Sequence, residues 1–228
     1  MTKITDVDRN SVVLDPTCGS GSFLVQAMVK GLADCHRGKT DKEAEVLKNI
    51  VMKKHIYGIE LEEKAYGLAT TNMLIHSDGN SNIIKNNCFE CADFIKEANP
   101  DVILMNPPYN AKPITIPEKY KKGWGKISKG KFVEYDGKED PTKGMVFVRF
   151  LSDVIKEMND KRENEGKPLK TVKLAVLLPV AVAIGRSDIL TKEKNIYLKT
   201  IRLKLFLHCL MKYFIQVHLQ VLVVCCLL

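Results

Sequence analysis

At 228 residues the chain is long enough to bury a good core and to form one large domain. Lys and Arg number 35 against 27 Asp and Glu, a formal charge of +8; that mildly basic balance suits a nucleic-acid partner but is shared by many ordinary soluble proteins. Seven scattered cysteines and no signal peptide at Met1 point to a reducing cytosol; the lone Cys-x-x-Cys pair, Cys88 and Cys91, has no second pair and no nearby histidines, so no metal site is expected.

Residues 1–10 are polar and read as peripheral. Val12-Val13-Leu14 is a short strand, and the apolar spacing Phe23, Leu24, Ala27, Met28, Gly31, Leu32 predicts a helix to about Cys35. A second helix over 42–53, with Thr40 or Asp41 as its cap, looks like an insertion. A strand at 55–59 ends at Glu60, and a helix covers 61–76. Ile83-Ile84 is a third short strand. Val102-Ile103-Leu104-Met105 is a buried strand, stopped by two consecutive prolines that fix φ and remove two backbone donors.

After Tyr109 a long loop runs over 110–142. Between Asn110 and Lys143 nine lysines stand against five acids, with Tyr120, Trp124, Phe132 and Tyr135 interleaved. A loop of that length is functional or disordered, and a DNA-contacting role and a solvated flexible loop both fit it. An amphipathic helix spans 144–158, a polar loop 159–170 and a strand 172–179. A further helix opens near Ile189-Leu190.

Two stretches carry the chemistry. Asp15-Pro16-Thr17-Cys18-Gly19-Ser20-Gly21-Ser22-Phe23 is a Gly-rich turn between a strand and a helix, where backbone approaches a ligand closely. About 90 residues on, Asn106-Pro107-Pro108-Tyr109 holds an amide and an aromatic ring at the end of a strand. Together they resemble the S-adenosylmethionine-dependent amino-methyltransferases that act on adenine N6 in DNA, and among these the modification subunit of type I restriction–modification systems. The resemblance covers roughly residues 10–190.

That resemblance implies an α/β fold, a doubly wound Rossmann-like methyltransferase sheet with helices on both faces, incomplete at both ends. It implies S-adenosylmethionine as cofactor, held by Asp15 to Phe23, by Glu60 through the ribose hydroxyls and by Asn87 at the adenine, with Glu90 or Asp93 as alternatives to Asn87. Phe89 either stacks on that adenine or sits in the core. Asn106, Pro107, Pro108 and Tyr109 are the implied catalytic residues, with no metal. The implied partners are double-stranded DNA, a specificity subunit and a restriction subunit, in the cytoplasm and away from membranes. Family members carry further parts on either side, so the chain alone is expected to be inactive.

An exocyclic adenine amine is a poor nucleophile because its lone pair is delocalised into the ring. The Asn106 side-chain oxygen and the Pro107 carbonyl would each accept one N6 hydrogen and localise that pair, while Tyr109 stacks on the flipped base. Cytosine C5 methylation needs a cysteine nucleophile after proline, and no Pro-Cys dipeptide occurs. A protein glutamine N5-methyltransferase uses the same four residues, and an inactive remnant that only binds cofactor or partner subunits stays open.

Residues 1–195 thus read as a partial catalytic domain and 196–228 as an apolar tail. His208, Lys212, Gln216, His218 and Gln220 interrupt any membrane span in it. Sliding the frame back one nucleotide over 208–217 permits Ser-Leu-Pro followed by Asn or Asp and a forced Glu. This string is similar to the family at that place. The tail is therefore expected to be out of frame and poorly packed.

Overall fold

The structure is a computed structural model that describes residues 1–76, 82–200, 202–206 and 221–227. β1 (Val13–Asp15) leads through the Gly-rich turn into α1 (Ser22–Asp34). α2 (Asp41–Lys54) begins in a capping box: Glu43 N donates to Thr40 Oγ1 while Thr40 N donates to the Glu43 carboxylate. Then come β2 (Ile56–Glu60), α3 (Glu63–His76), β3 (Asn82–Lys85), a 3-10 turn at Cys88–Glu90, α4 (Ala92–Ala98) and β4 (Val102–Met105). A 3-10 turn at Pro113–Thr115, the single-turn α5 (Glu118–Lys121) and the strands β5 (Gly125–Ser128) and β6 (Lys131–Glu134) follow. The chain continues through α6 (Met145–Asn164), β7 (Lys173–Pro179), α7 (Val180–Ile184), α8 (Asp188–Thr200), β8 (Arg202–Phe206) and β9 (Val221–Leu227).

Seven strands form one sheet in the order β3-β2-β1-β4-β7-β9-β8. The first five are parallel, and β9 runs antiparallel to both β7 and β8. Apolar cores lie on both faces. In β4, Val102 and Leu104 pack with Leu24, Met28, Ala69 and Met73, whereas Ile103 and Met105 pack with Ile95, Phe150, Leu151 and Val154. A parallel strand covered on both faces has no reason to alternate with polar residues, which is why this run is continuous. Truncating fully buried Ile103 or Leu104 to Ala costs about 2–5 kcal/mol.

Several expectations need correction. Residues 1–10 are not peripheral: Thr5 and Val7 are buried, Arg9 Nη1 donates to the carbonyls of Asp34 and Arg37, and Lys173 Nζ donates to the Thr5 carbonyl. Ten residues without a period gave no sign of this docking. α4 was not foreseen, because seven residues are too few to establish a helical repeat. α6 runs six residues past its expected end, through Asn164, on a solvated and charged last turn and a half. The 110–142 segment is built, not loose, and carries α5 and a two-stranded hairpin.

The tail also differs from expectation. Its backbone extends the sheet, Val221–Leu227 pairing with all seven residues of β7. An open β7 edge accepts an apolar, β-prone run whatever its origin, so pairing and reading frame are separate questions. Residues 207–220, where the frame argument falls, lie outside the described residues. Among the described residues no helix is long and apolar enough to cross a membrane.

Candidate active site

β1 and β4 lie side by side at the centre of the sheet, Val13 opposite Val102 and Leu14 opposite Ile103. From β1 the chain winds outward to β2 and β3; from β4 it winds the other way, to β7. Their carboxyl ends therefore flank the crevice where an open α/β sheet takes its ligand. The Gly-rich turn leaves one end and Asn106-Pro107-Pro108-Tyr109 leaves the other.

In the turn, Asp15 and Pro16 are buried, and Thr17 N donates to Asp15 Oδ1 at 3.0 Å. Burial, aided by the Glu60 charge, pushes the Asp15 carboxyl from its ordinary 3.8 up to about 8 against that one backbone hydrogen bond. Thr17 Oγ1 is buried with no hydrogen-bond partner among the described residues. Cys18 N donates to the Ile59 carbonyl, and burial raises the Cys18 thiol well above its usual range, so it is no thiolate nucleophile. Gly19 N donates to Glu60 Oε2 at 2.8 Å, while Glu62 N donates to Glu60 Oε1 at 2.8 Å. The Glu60 carboxylate is thus fixed at the tip of β2 against the turn.

Gly19 and Gly21 take φ of +55° and +78°. Space beyond Gly19 is open, but a Cβ on Gly21 would come 3.3 Å from Ala69 Cα. Gly19 exposes backbone to a ligand, and Gly21 lets α3 approach the start of α1. Ser20 and Ser22 hydroxyls bond to each other at 3.0 Å, the Ser20 carbonyl accepts from Asn72 Nδ2, and Phe23 packs partly into the core.

Across the crevice, Asn106 is exposed and its Oδ1 accepts from the Tyr109 hydroxyl at 2.8 Å. Pro107 is buried and Pro108 exposed. Asn87 caps the 3-10 turn after β3: its Oδ1 accepts from Phe89 N and its Nδ2 donates to the Thr115 carbonyl at 2.7 Å. Phe89 itself lies in the core, with Phe147, Phe150 and Tyr120 within 4.8–5.8 Å of its ring centre. Among the described residues no group of three or more His, Cys, Asp or Glu is placed to hold a metal.

A family model described as N-6 DNA methylase matches residues 1–160, more than two thirds of the sequence. The chain belongs to the N-6 DNA methylase family. A relative, the type II restriction enzyme and methyltransferase RM.BcgI of Heyndrickxia coagulans, is 37% identical over 111 residues, covering 48% of this chain and 16% of the relative. The modification subunit of a putative type I restriction enzyme from Vibrio vulnificus YJ016 superposes with a TM-score of 0.60 at 20% identity, over all of this chain and 42% of that one. The EcoKI M protein superposes at 0.59 and 16% identity, over 98% of this chain and 41% of that one. These last two likenesses bear on the fold. The chain spans less than half the length of each of these relatives.

One part of the candidate site was not foreseen. Asp140 is fully buried; its Oδ1 accepts from Thr142 N and Oγ1, and its Oδ2 accepts from Gly144 N. Burial outweighs those bonds and holds its carboxyl above the ordinary range. Asp140 N donates to the Ala111 carbonyl at 2.8 Å, which joins the two ends of the 110–140 segment. Gly144, at φ +93°, brings α6 against the motif: a Cβ there would lie 3.0 Å from Pro107 Cγ and 3.5 Å from Tyr109 Cδ1. The signal was present as Asp-Pro-Thr ahead of a glycine and an amphipathic helix, the chemistry of an Asx turn, but the surrounding charges made it read as the end of a loop.

Proposed function

We propose that this chain is the catalytic core of a DNA methyltransferase that moves the methyl group of S-adenosylmethionine to the N6 amine of an adenine flipped out of double-stranded DNA. Support comes above all from one juxtaposition: a Gly-rich turn with a buried acid and Asn-Pro-Pro-Tyr at neighbouring strand ends, in a chain of the N-6 DNA methylase family. In this reading residues 1–195 are the catalytic unit, working in the cytoplasm with a specificity subunit and a restriction subunit. The tail is read as out of frame, and sequencing the codons from about 192 to 207 decides that: no one-base change restoring a longer methyltransferase frame would end it.

The turn fits such a cofactor. A buried carboxyl at Asp15, an orphaned hydroxyl at Thr17 and open space over Gly19 suit a ligand with a cationic amino-acid end. Pro16, Cys18, Ser20, Gly21, Ser22 and Phe23 would shape the remainder of the turn, Glu60 would accept from the ribose hydroxyls, and Asn87 keeps one N–H and one lone pair for the adenine edge. The bound cofactor supplies an electrophilic methyl group.

A carboxyl that titrates near 8 when folded and near 3.8 when unfolded holds a proton in the fold that the unfolded chain has lost. Its contribution to stability is complete below about pH 4 and falls as the pH rises through 8. Thermal unfolding of the ligand-free chain should show this loss, and Asp15→Asn should remove it. A cationic ligand needs the charged form and expels the proton. S-adenosylmethionine affinity should therefore rise with pH, by up to about tenfold per unit, and level off near 8. A flat calorimetric profile from pH 6 to 9 would put the cationic end elsewhere.

On the acceptor side, Asn106 Oδ1 and the Pro107 carbonyl would accept the two N6 hydrogens and so localise the nitrogen lone pair. No strong base is required, and the surplus proton reaches water past the exposed Asn106. The Tyr109 hydroxyl now uses the oxygen that the substrate needs. Tyr109→Phe keeps the ring and frees that oxygen, so its single-turnover rate should equal or exceed wild type. Tyr109→Ala removes base stacking worth about 1–3 kcal/mol and should weaken DNA engagement roughly 5–150-fold. Equal losses in both variants would show the hydroxyl, not the ring, to be the functional part.

The test is methyl transfer from labelled S-adenosylmethionine to an adenine-containing duplex or to a glutamine peptide, by the chain alone and with the partner subunits. Label appearing as N6-methyladenine is the expected result. Label in the peptide, or in neither substrate with partners present, overturns the proposal.

A further inference from the structure

The β5–β6 hairpin is not needed for any step above, yet nearly all of it is exposed. Every residue from Lys126 to Glu134 is exposed. Lys129 and Gly130 both have positive φ, 49° and 75°, giving a two-residue turn whose twist matches the strands. Cross-strand partners share a face. Lys126 with Val133 and Ser128 with Lys131 form a basic face, while Ile127 with Phe132 form an apolar one. Phe132 folds over Gly125, where a Cβ would meet its ring, yet it stays 55% exposed, and Ile127 is 76% exposed. None of Lys126, Lys129 and Lys131 makes a salt bridge to a described residue.

The root of the hairpin is firm. Trp124 is buried, stands edge-on to Tyr135 at 6.3 Å, and its carbonyl accepts from Tyr135 N. Tyr120 is buried against Phe89 and Phe150. Asp140 N donates to the Ala111 carbonyl and so joins the two ends of the segment just past Tyr109, and Asn87 Nδ2 anchors it to the turn after β3 through the Thr115 carbonyl. A twisted ribbon with a lysine-rich face and an uncovered apolar face thus stands on a packed root, in the segment that follows Tyr109.

We infer that this hairpin is an arm that grips duplex DNA beside the flipped adenine. A two-stranded ribbon fits the major groove. Lys126, Lys129 and Lys131 meet phosphates, and Ile127 and Phe132 cover base and sugar surface. Charge decides the occupant: a second copy of a chain with net charge +8 is repelled by the same lysines. Exposed apolar strand residues are otherwise an association hazard, which a DNA partner removes. The inference rests on the DNA-methylation reading for its partner and adds to it the surface that does the gripping.

Equilibrium binding of a fluorescent duplex, over about 50 to 200 mM salt, tests it. The triple variant Lys126→Ala, Lys129→Ala, Lys131→Ala should bind at least tenfold more weakly, with a salt slope shallower by about 2.7 if each lysine meets one phosphate. The triple variant Lys42→Ala, Lys53→Ala, Lys54→Ala removes the same charge around α2 and should bind nearly as wild type. Ile127→Ser should weaken binding without changing the slope. Equal losses in the two triples, no loss in the hairpin triple, or hairpin-dependent binding to anionic vesicles in place of DNA each overturn the arm. Because binding is read apart from methyl transfer, the two proposals fail separately. A chain that grips DNA through the hairpin but transfers no methyl keeps the arm and loses the reaction. A chain that methylates DNA with unchanged affinity in the hairpin triple does the reverse.

Discussion

Asn106→Ala is expected to lower the single-turnover rate of methyl transfer by at least about a hundredfold, the usual cost of removing one preorganised polar group that acts on developing charge. Cofactor affinity should stay near wild type, because the turn after β1 does not touch Asn106 through any described hydrogen bond. The substitution is also mild for the fold: the side chain is exposed and, among the described residues, its one side-chain hydrogen bond is with Tyr109. A loss in rate is then a loss in chemistry. Single-turnover kinetics with calorimetry on the same preparation separates the two quantities. A variant that keeps more than about a tenth of the rate, a barrier change under about 1.4 kcal/mol, removes Asn106 from the reaction.

Asp140→Ala should have the second largest effect, through position and not contact. Removing the carboxylate leaves Thr142 N and Gly144 N as buried donors without their partner. At about 1–3 kcal/mol each, the stability loss is about 2–6 kcal/mol, which lowers Tm by roughly 4–24 °C for a chain of this size. It also frees the α6 start, whose Gly144 rests against Pro107 and Tyr109. A displacement near 1 Å at a reacting group costs about a hundredfold in rate. The rate measured well below the new Tm should therefore fall steeply while cofactor affinity holds. Asp140→Asn keeps an oxygen for Thr142 but sets an amide against Gly144 N, so it should lose rate with less loss of stability. A destabilised variant with an undiminished rate would make Asp140 a structural prop only.

How much of this was written in the sequence follows from the range of each interaction. The cap at Thr40 or Asp41, the apolar run of β4 and the Gly-rich turn after β1 are set by neighbours a few residues apart and were legible, though the structure alone picks Thr40 and adds Glu43 as its partner. So were both halves of the candidate site as local structure, because a Gly-rich turn and an Asn-Pro-Pro-Tyr each constrain the backbone locally. Glu60 was placed at the tip of its strand, but not its grip on Gly19 N, 41 residues away.

What the linear chain did not show are the contacts that cost or gain free energy only once distant segments meet. Asp140 reads as one more surface acid until burial, three hydrogen bonds and the Ala111 carbonyl turn it into the clasp of a 30-residue segment. Asn87 carries no sign in the sequence that its amide is tied to the Thr115 carbonyl, 28 residues away. The lysine-rich stretch reads as one long loop, DNA-contacting or flexible, until Trp124 and Tyr120 sink into the core and leave a hairpin outside. The sequence by itself determined that this is an α/β chain with a Gly-rich turn and an Asn-Pro-Pro-Tyr at strand ends. Only the tertiary structure decided which residues hold those stretches in place, because a buried carboxylate or a left-handed glycine has its meaning from the desolvation and close approach that the finished fold imposes.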